Sequence, residues 1–245
     1  MKLSGRTVLV TGATSGIGLV LTRKLSSFGC TVIAVGRSDE KLGNLKHRID
    51  GVIPVKCNMS RKADVIGLTK QLEGMDVPVS ILINNAAVQY VPRFSDPDFS
   101  FDSIETEVVT NFTSIAWLSS LLLPTLLEHN EGAAIVNMSS GLAIYPKTTS
   151  AIYSATKAAV HSLSQSLRYQ LEDTGVGILE ILLPLVDTAM SEGRGSGKVS
   201  AEHAADQVIE ALTHNIHEQY VGKTGLLPII SRLSPSLTKQ ILKNS

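Results

Sequence analysis

Short β-branched runs alternate along this chain with longer segments whose apolar positions return every three or four residues, the pattern of βαβ units that build a parallel sheet. Thr7 to Val10 reads as the first strand, and Ile17 to Phe28, with Ile17, Leu21, Leu25 and Phe28 on one face, as a helix closed by Gly29. Thr31 to Val35 is a second strand, nearly all apolar as expected where both faces are covered. Ser38 or Asp39 caps a helix running through Ile49, Val52 to Cys57 is a third strand that Pro54 makes less regular, and Ser60 opens a helix to about Leu72. Ile81 to Ile83 is the fourth strand.

The stretch from Ser103 to His129 predicts one long helix, with Trp117, Leu118, Leu121, Leu122 and Leu126 inward and a late bend at Pro124. Ala133 to Met138 is the fifth strand, Ser150 to Leu171 a helix, and Ile178 to Leu183 the sixth strand, stopped by Pro184. Gly193, Gly195 and Gly197 make the following segment a mobile connection, a lid over about 189–200. Ala201 to His214 predicts a helix, Gln219 to Val221 a short strand and Ser236 to Lys243 a last short helix. No repeat interrupts the pattern, so one domain over residues 1–245 is expected.

Composition narrows the function. Lys+Arg and Asp+Glu balance at 22 each, which predicts no nucleic-acid partner and favours a small-molecule ligand. The two cysteines, Cys30 and Cys57, fall in or beside strands, which suits buried thiols in a reducing compartment. No apolar run approaches the roughly twenty residues of a membrane span, and the first run is too short for a signal peptide, so a cytoplasmic protein is expected. His214 and His217 have metal-compatible spacing without a third ligand, so no metal is expected. Gly222-Lys223-Thr224 lacks the glycine a phosphate loop needs five positions earlier, where His217 stands.

Two stretches carry chemistry. Thr11-Gly12-Ala13-Thr14-Ser15-Gly16-Ile17-Gly18 follows the first strand and opens the first helix, where free amides and the positive end of the helix dipole favour a phosphate. Tyr153 and Lys157 stand four residues apart on one helix face, so the ammonium is expected to favour the ionised phenol and bring it toward neutral pH.

With this turn and this pair, the chain resembles the short-chain dehydrogenase/reductase family. Asn84-Asn85-Ala86-Ala87 after the fourth strand, Asn111 in the long helix and Ser140 thirteen positions before Tyr153 fall in the family's order, a likeness covering residues 7 to 190. The resemblance implies a doubly wound, mostly parallel α/β sheet of Rossmann type, with helices on both faces. It implies Tyr153 as general acid or base, Ser140 on the substrate oxygen, Lys157 on the nicotinamide ribose and Asn111 holding a water that links Lys157 to solvent. Ser140 rather than Ser139 takes this role because its separation from Tyr153 matches the family. Gly12, Thr14, Ser15, Gly16, Ile17 and Gly18, with Asn58, Asn85, Ala86, Pro184, Val186 and Thr188, are implied on the cofactor together with Tyr153 and Lys157. At the end of the second strand Gly36-Arg37 replaces the carboxylate that commonly holds the NAD ribose, so NADP(H) is preferred over NAD(H), with Arg37 on the 2′-phosphate.

Three positions depart from the family pattern. Asn58 replaces an Asp facing the adenine, Ala87 replaces a Gly, and Leu185 puts a bulky group near the nicotinamide. The family's glycine-rich ending is absent from the tail, 222–245, which is expected to cover the chain's own core; a homodimer through the long helix and the Tyr153 helix is expected. The expected activity is hydride transfer between nicotinamide and a carbonyl or secondary alcohol of an apolar small molecule. Val88, Tyr90, Leu142, Ile144, Leu185 and Met190 make the pocket apolar, with no charge among them to anchor an anion. The rivals are a catalytically silent NADP(H)-binding sensor and a reductase whose tail rests on a membrane surface.

Overall fold

The computed structural model describes residues 1–75 and 77–227. The helix expected over Ser236 to Lys243, with most of the tail, lies outside the described residues.

The periodicity produces the elements it predicts: β1 Thr7–Thr11, α1 Gly16–Ser27, β2 Thr31–Gly36, α2 Asp39–Arg48, β3 Val52–Lys56, α3 Lys62–Glu73 and β4 Ile81–Asn84. The second half follows with α4 Phe101–Val108, α5 Ser114–Leu127, β5 Ala133–Ser140, α6 Ala151–Gln170, β6 Val176–Leu183, β7 Val186–Asp187, β8 Val199–Ser200, α7 Ala201–His214 and β9 Glu218–Tyr220. Seven strands form one sheet in the order β3-β2-β1-β4-β5-β6-β9, every pair parallel.

Alternation along each strand sends side chains to two separate cores. Val8, Val10, Val32 and Ala34 pack with Leu21 and Leu25 of α1, Leu42 and Leu45 of α2, and Val208 and Leu212 of α7. Leu9, Ile33, Val35 and Leu82 pack on the other face with Leu68 of α3 and Leu118, Leu122 and Leu126 of α5. Helices therefore cover both faces, as the near-continuous apolar strands require.

Three local expectations change. Pro54 does not break β3, because β3 is the sheet's edge and pairs only with β2, so one side needs no amide donor. The long helix does not bend first at Pro124, which lies inside α5; its irregularity is a π turn over Val109–Thr113 between α4 and α5. Phe101–Leu127 as a whole is long and apolar enough to cross a membrane by length and composition. Its inner residues Ile115, Leu118, Leu122 and Leu126 are spent on the core.

The order places a reversal between β1 and β4: the chain first builds outward through β2 and β3, then returns to add β4 on the other side of β1. A reversal of this kind is where open parallel sheets form a ligand crevice, outside the carboxyl ends of the strands. Both chemical stretches lie along this edge.

Candidate active site

The turn after β1 is built for close approach. Gly12 and Gly16 have φ of 67° and 51°, where a side chain is strained. A Cβ on Gly18 would lie 2.2 Å from the Gly12 carbonyl oxygen and 2.6 Å from Asn85 Nδ2. Ser15 stands at the N-cap of α1 without a side-chain hydrogen bond, and no acid occupies the first turn, so the first amides of α1 keep their affinity for an anion. Ile17 packs against the core below the turn. The turn is fixed to β4 through Thr11, whose hydroxyl accepts from the amides of Asn85 and Ala86 at 2.9 and 3.0 Å, while Asn85 Nδ2 donates to the Thr11 carbonyl at 2.9 Å. Asn85 thus shapes the cradle from behind. A dinucleotide pyrophosphate fits this cradle by its missing Cβ atoms and uncapped amides.

Thr14 ties the turn to the end of β2: a Cβ on Gly36 would lie 2.7 Å from its methyl group. Arg37 follows, exposed and outside every ion pair of the described residues. Asn58, at the end of β3, spends its carbonyl oxygen on Ser60, accepting from the amide at 3.2 Å and the hydroxyl at 3.0 Å, while its own amide donates to Asp64 Oδ2 at 3.1 Å. Its side-chain NH2 has no partner among the described residues and is a donor, whereas a carboxylate would offer only acceptors.

On the other side of the crevice stand Ser140, Tyr153, Lys157 and Asn111. Ser140 ends β5, and its hydroxyl accepts from the Leu142 amide at 3.2 Å and donates to the Leu183 carbonyl at 3.4 Å. Its neighbour Ser139 is enclosed, with a hydroxyl lacking any partner among the described residues. Ser150 opens α6 in a left-handed conformation, φ 64°, and Tyr153 follows within the first turn, half-buried. The Lys157 ammonium lies 5.5 Å from the Tyr153 ring centroid, is 3% exposed and donates to the Met138 carbonyl at 2.7 Å. The π turn brings in Asn111, whose amide clamps Val88: Oδ1 accepts from its N–H and Nδ2 donates to its carbonyl, both at 2.8 Å. Nδ2 also reaches Thr156 Oγ1 of α6 at 3.4 Å.

The electrostatics reverse one expectation. Tyr153 is not drawn toward neutrality by Lys157; burial pushes the phenol up to about 12, helped by the Glu107 carboxylate and opposed by the Arg194 cation. Burial lowers Lys157 to about 8, against the opposing pull of the Glu180 carboxylate. The lysine–tyrosine spacing was legible, but the desolvation of both groups was not, and desolvation wins here.

Glu180 belongs to a polar row across the sheet, where Asn84, Asn137, Glu180 and Glu218 stand side by side on β4, β5, β6 and β9. Asn137 bridges Asn84 and Ser164 of α6, each at 2.9 Å. His161 of α6, one turn beyond Lys157, meets Glu180 at 2.8 Å, and its pKa is raised first by that hydrogen bond. The ligand atoms of His161, Glu180 and Glu218 lie within 4.8 Å of one another. Arg168 reaches Glu218 at 2.8 Å and Glu180 at 3.7 Å, standing where a bound cation would stand. His214 and His217 do not converge: His214 turns to the Glu210 carbonyl and His217 to that of Ile178.

After β6 the chain returns over the cradle. The Thr188 methyl group would lie 3.1 Å from a Cβ on Gly16, so this segment roofs the turn. Val186 is buried and pairs with Val199 in a two-stranded ladder. Leu185 packs onto the lid segment, where its Cδ2 would lie 2.5 Å from a Cβ on Gly195. That segment carries more structure than its glycines predict, with a 3-10 turn at Ala189–Ser191, a Ser191 hydroxyl donating to the Val186 carbonyl at 2.6 Å, and Lys198 donating to the Ser191 carbonyl at 2.7 Å. The described start of the tail, Gly222–Leu226, is a 3-10 turn. The Thr224 methyl and Leu227 would lie 3.1 and 3.0 Å from a Cβ on Gly141, so this part covers the edge beside Ser140. Pro184 lies beside Gly222 at its start.

Residues 6–198 match the family model of the short chain dehydrogenases. The chain belongs to the short-chain dehydrogenase/reductase family. An uncharacterized oxidoreductase of Bacillus subtilis, DltE, is 35% identical over 192 residues, covering 78% of this chain and 76% of its own. A short-chain dehydrogenase from Burkholderia cenocepacia, solved in complex with NADP, superposes with a TM-score of 0.88 at 24% identity over the full length of both chains. A Burkholderia phymatum member, solved with NAD, gives 0.85 at 22% identity over 100% of this chain and 97% of its own. Both structures bear out the fold.

Sequence reasoning about this short-chain dehydrogenase/reductase missed Gln89, Glu107, Lys147 and Arg194. Glu107 is buried in α4, where its carboxylate accepts from the Tyr90 amide at 2.9 Å. Arg194, from the lid segment, donates through Nη1 to Gln89 Oε1 at 2.8 Å, and Gln89 Nε2 donates to Ser150 Oγ at 3.0 Å. No local pattern marks these residues; they meet only because three distant loops converge at the start of α6.

Proposed function

We propose that this oxidoreductase moves hydride between NADP(H) and the carbonyl or secondary alcohol of a small molecule with an apolar body. What supports the reading is the meeting of α6 with the end of β5 and the π turn, where Lys157 lies 5.5 Å from the Tyr153 ring and donates to the Met138 carbonyl, two residues before Ser140, and Asn111 reaches Thr156. When bound, a nicotinamide dinucleotide supplies the hydride.

Tyr153, held neutral by its raised pKa, gives a proton to the carbonyl oxygen during reduction. The Ser140 hydroxyl steadies the charge developing on that oxygen. Lys157 binds the nicotinamide ribose and passes a proton back toward Tyr153, and Asn111 orders the route from solvent. Gly12, Thr14, Ser15, Gly16, Ile17 and Gly18 hold the pyrophosphate, Asn58 the adenine, and Pro184, Val186 and Thr188 the carboxamide end. Asn85 and Ala86 hold the turn that makes this possible.

The preference for NADP(H) rests on Arg37 and the absent acid at the end of β2, since solved relatives carry NADP in one case and NAD in another. Exposed Leu121 and Leu127 on α5 and Tyr169 on α6 supply the apolar surface for the expected homodimer. Two free, buried thiols suit a reducing cytoplasm. The complete polar set favours turnover over a silent sensor. Tyr153→Phe is expected to abolish NADPH oxidation with a panel of aldehydes and ketones while leaving NADPH binding, followed by fluorescence, nearly unchanged; full retained activity would sink the mechanism.

A further inference from the structure

We propose that Arg194 and Lys147 form an anion-binding subsite at the mouth of the crevice, so that the carbonyl substrate carries a carboxylate, sulfonate or phosphate group on its apolar body. The inference rests on the hydride-transfer reading and names the substrate class it serves.

Geometry supplies the first argument. The hydrogen-bonded chain from Arg194 through Gln89 to Ser150 fixes the guanidinium at the N-terminus of α6, three residues before Tyr153. Lys147 comes from the loop that leads into the same helix end, so two cations from separate segments face one small region. Gln89 takes only one of Arg194's N–H groups. The remaining donors of the planar fork have no partner among the described residues and suit two oxygens of an oxyacid.

Charge supplies the second. Neither cation belongs to an ion pair among the described residues. Both are half-buried, where an unpaired charge is costly. They also sense each other: the Lys147 pKa is lowered first by burial and then by the Arg194 charge. Glu107, whose charge also acts on the Tyr153 phenol, forms no ion pair with either cation among the described residues. Its carboxylate accepts from the Tyr90 amide, and burial raises its pKa. An unpaired arginine tied to the start of the Tyr153 helix, with a lysine close enough to sense its charge, fits an anion that arrives with the substrate.

Position separates this subsite from the cofactor's phosphates. The pyrophosphate cradle lies under Thr188 and the 2′-phosphate position beside Arg37, whereas the Arg194 guanidinium is tied to Gln89 and Ser150 and its charge reaches the Tyr153 phenol. The half-buried side chains of Leu142 and Ile144 in the same loop suit a short apolar spacer between carbonyl and anion.

The test compares ω-oxo carboxylates of three to six carbons with their primary amides, using NADPH and NADH. At one chain length or more, kcat/KM is expected to favour the acid at least tenfold, and Arg194→Gln should cut that preference at least tenfold. Lys147→Gln should cut it several-fold, and Arg194→Lys should restore part of it in a variant that keeps the charge. Calorimetric titration of the protein–NADPH complex with butanedioate and pentanedioate reads the subsite without turnover, with binding at least tenfold weaker in Arg194→Gln. Amides equal to acids at every length, a preference untouched by Arg194→Gln, or no dicarboxylate binding would overturn the subsite. A weakened NADPH affinity with unchanged acid preference would reassign Arg194 to the cofactor and overturn it as well. Dicarboxylate binding lost in Arg194→Gln, with no carbonyl reduced by the wild type, would overturn the hydride-transfer reading and leave the subsite standing.

Discussion

Lys157→Met should make the protein more stable and inactive at once. A lysine that falls from 10.5 to about 8 on burial has its ammonium disfavoured in the fold by roughly 3 kcal/mol. At pH 7 the side chain is charged in both folded and unfolded chains, so the whole penalty is present. Replacement by Met removes it and forfeits the hydrogen bond to the Met138 carbonyl, about 1 kcal/mol, which leaves a net gain of about 2 kcal/mol. In a chain of this size that is a rise in Tm of about 4–8 °C. The sign with pH follows from the same shift. Between about 8 and 10.5 the unfolded chain holds a proton that the folded chain has released, so wild-type stability rises with pH through that window. The advantage of the variant should therefore shrink by about 2 kcal/mol, to near zero, by pH 9.5. Thermal melts of both proteins at pH 7 and 9.5, with activity measured alongside, check this. A variant no more stable than wild type at pH 7, or an advantage that does not change with pH, would refute a buried, disfavoured ammonium.

Three further outcomes follow from the site. Gly18→Ala drives a methyl group to 2.2 Å from the Gly12 carbonyl oxygen and should cost roughly 1–3 kcal/mol in a denaturant melt and weaken NADPH at least tenfold; an unchanged Kd would remove the turn from the cofactor site. Glu180→Gln deletes the carboxylate that holds the Lys157 pKa up, so the basic limb of kcat/KM, expected near pH 8, should move to lower pH. A shift to higher pH would contradict the electrostatic link. Arg37→Asp should lower the NADPH/NADH affinity ratio about 10- to 100-fold in fluorescence titrations. Arg37 is the better position to change than Gly36, where any Cβ would meet Thr14 and disturb the cradle itself.

The fold was legible wherever a feature is local in sequence. The alternation of Val8, Leu9 and Val10 between two cores, the glycines of the turn and the four-residue step from Tyr153 to Lys157 are each contained in a few positions. Features that depend on which segments meet were not. Val109-Thr110-Asn111-Phe112-Thr113 contains no helix breaker, yet it forms the π turn, while Pro124 passes inside α5. Leu185 packs on Gly195, ten positions further on, whose missing side chain makes the room, a contact that no local pattern announces. The apolar pocket residues were readable, but Arg194 and Lys147, forty-seven positions apart, become neighbours only through the fold.

The reversed pKa values also bear on direction. Had Lys157 drawn Tyr153 toward neutrality, the site would have served equally to take a proton from an alcohol or give one to a carbonyl. With the phenol pushed up to about 12 and the ammonium lowered to about 8, burial has driven the two apart. Tyr153 therefore rests as an acid, the state that reduction consumes. Once it has given up its proton, return of one from Lys157 is favourable. Lys157 is then poised near ambient pH to recover a proton, with the Glu180 carboxylate holding its pKa up against burial. Oxidation would have to begin by removing the Tyr153 proton against that same difference. The desolvation that costs the fold stability at Lys157 thus biases the unliganded site toward reduction.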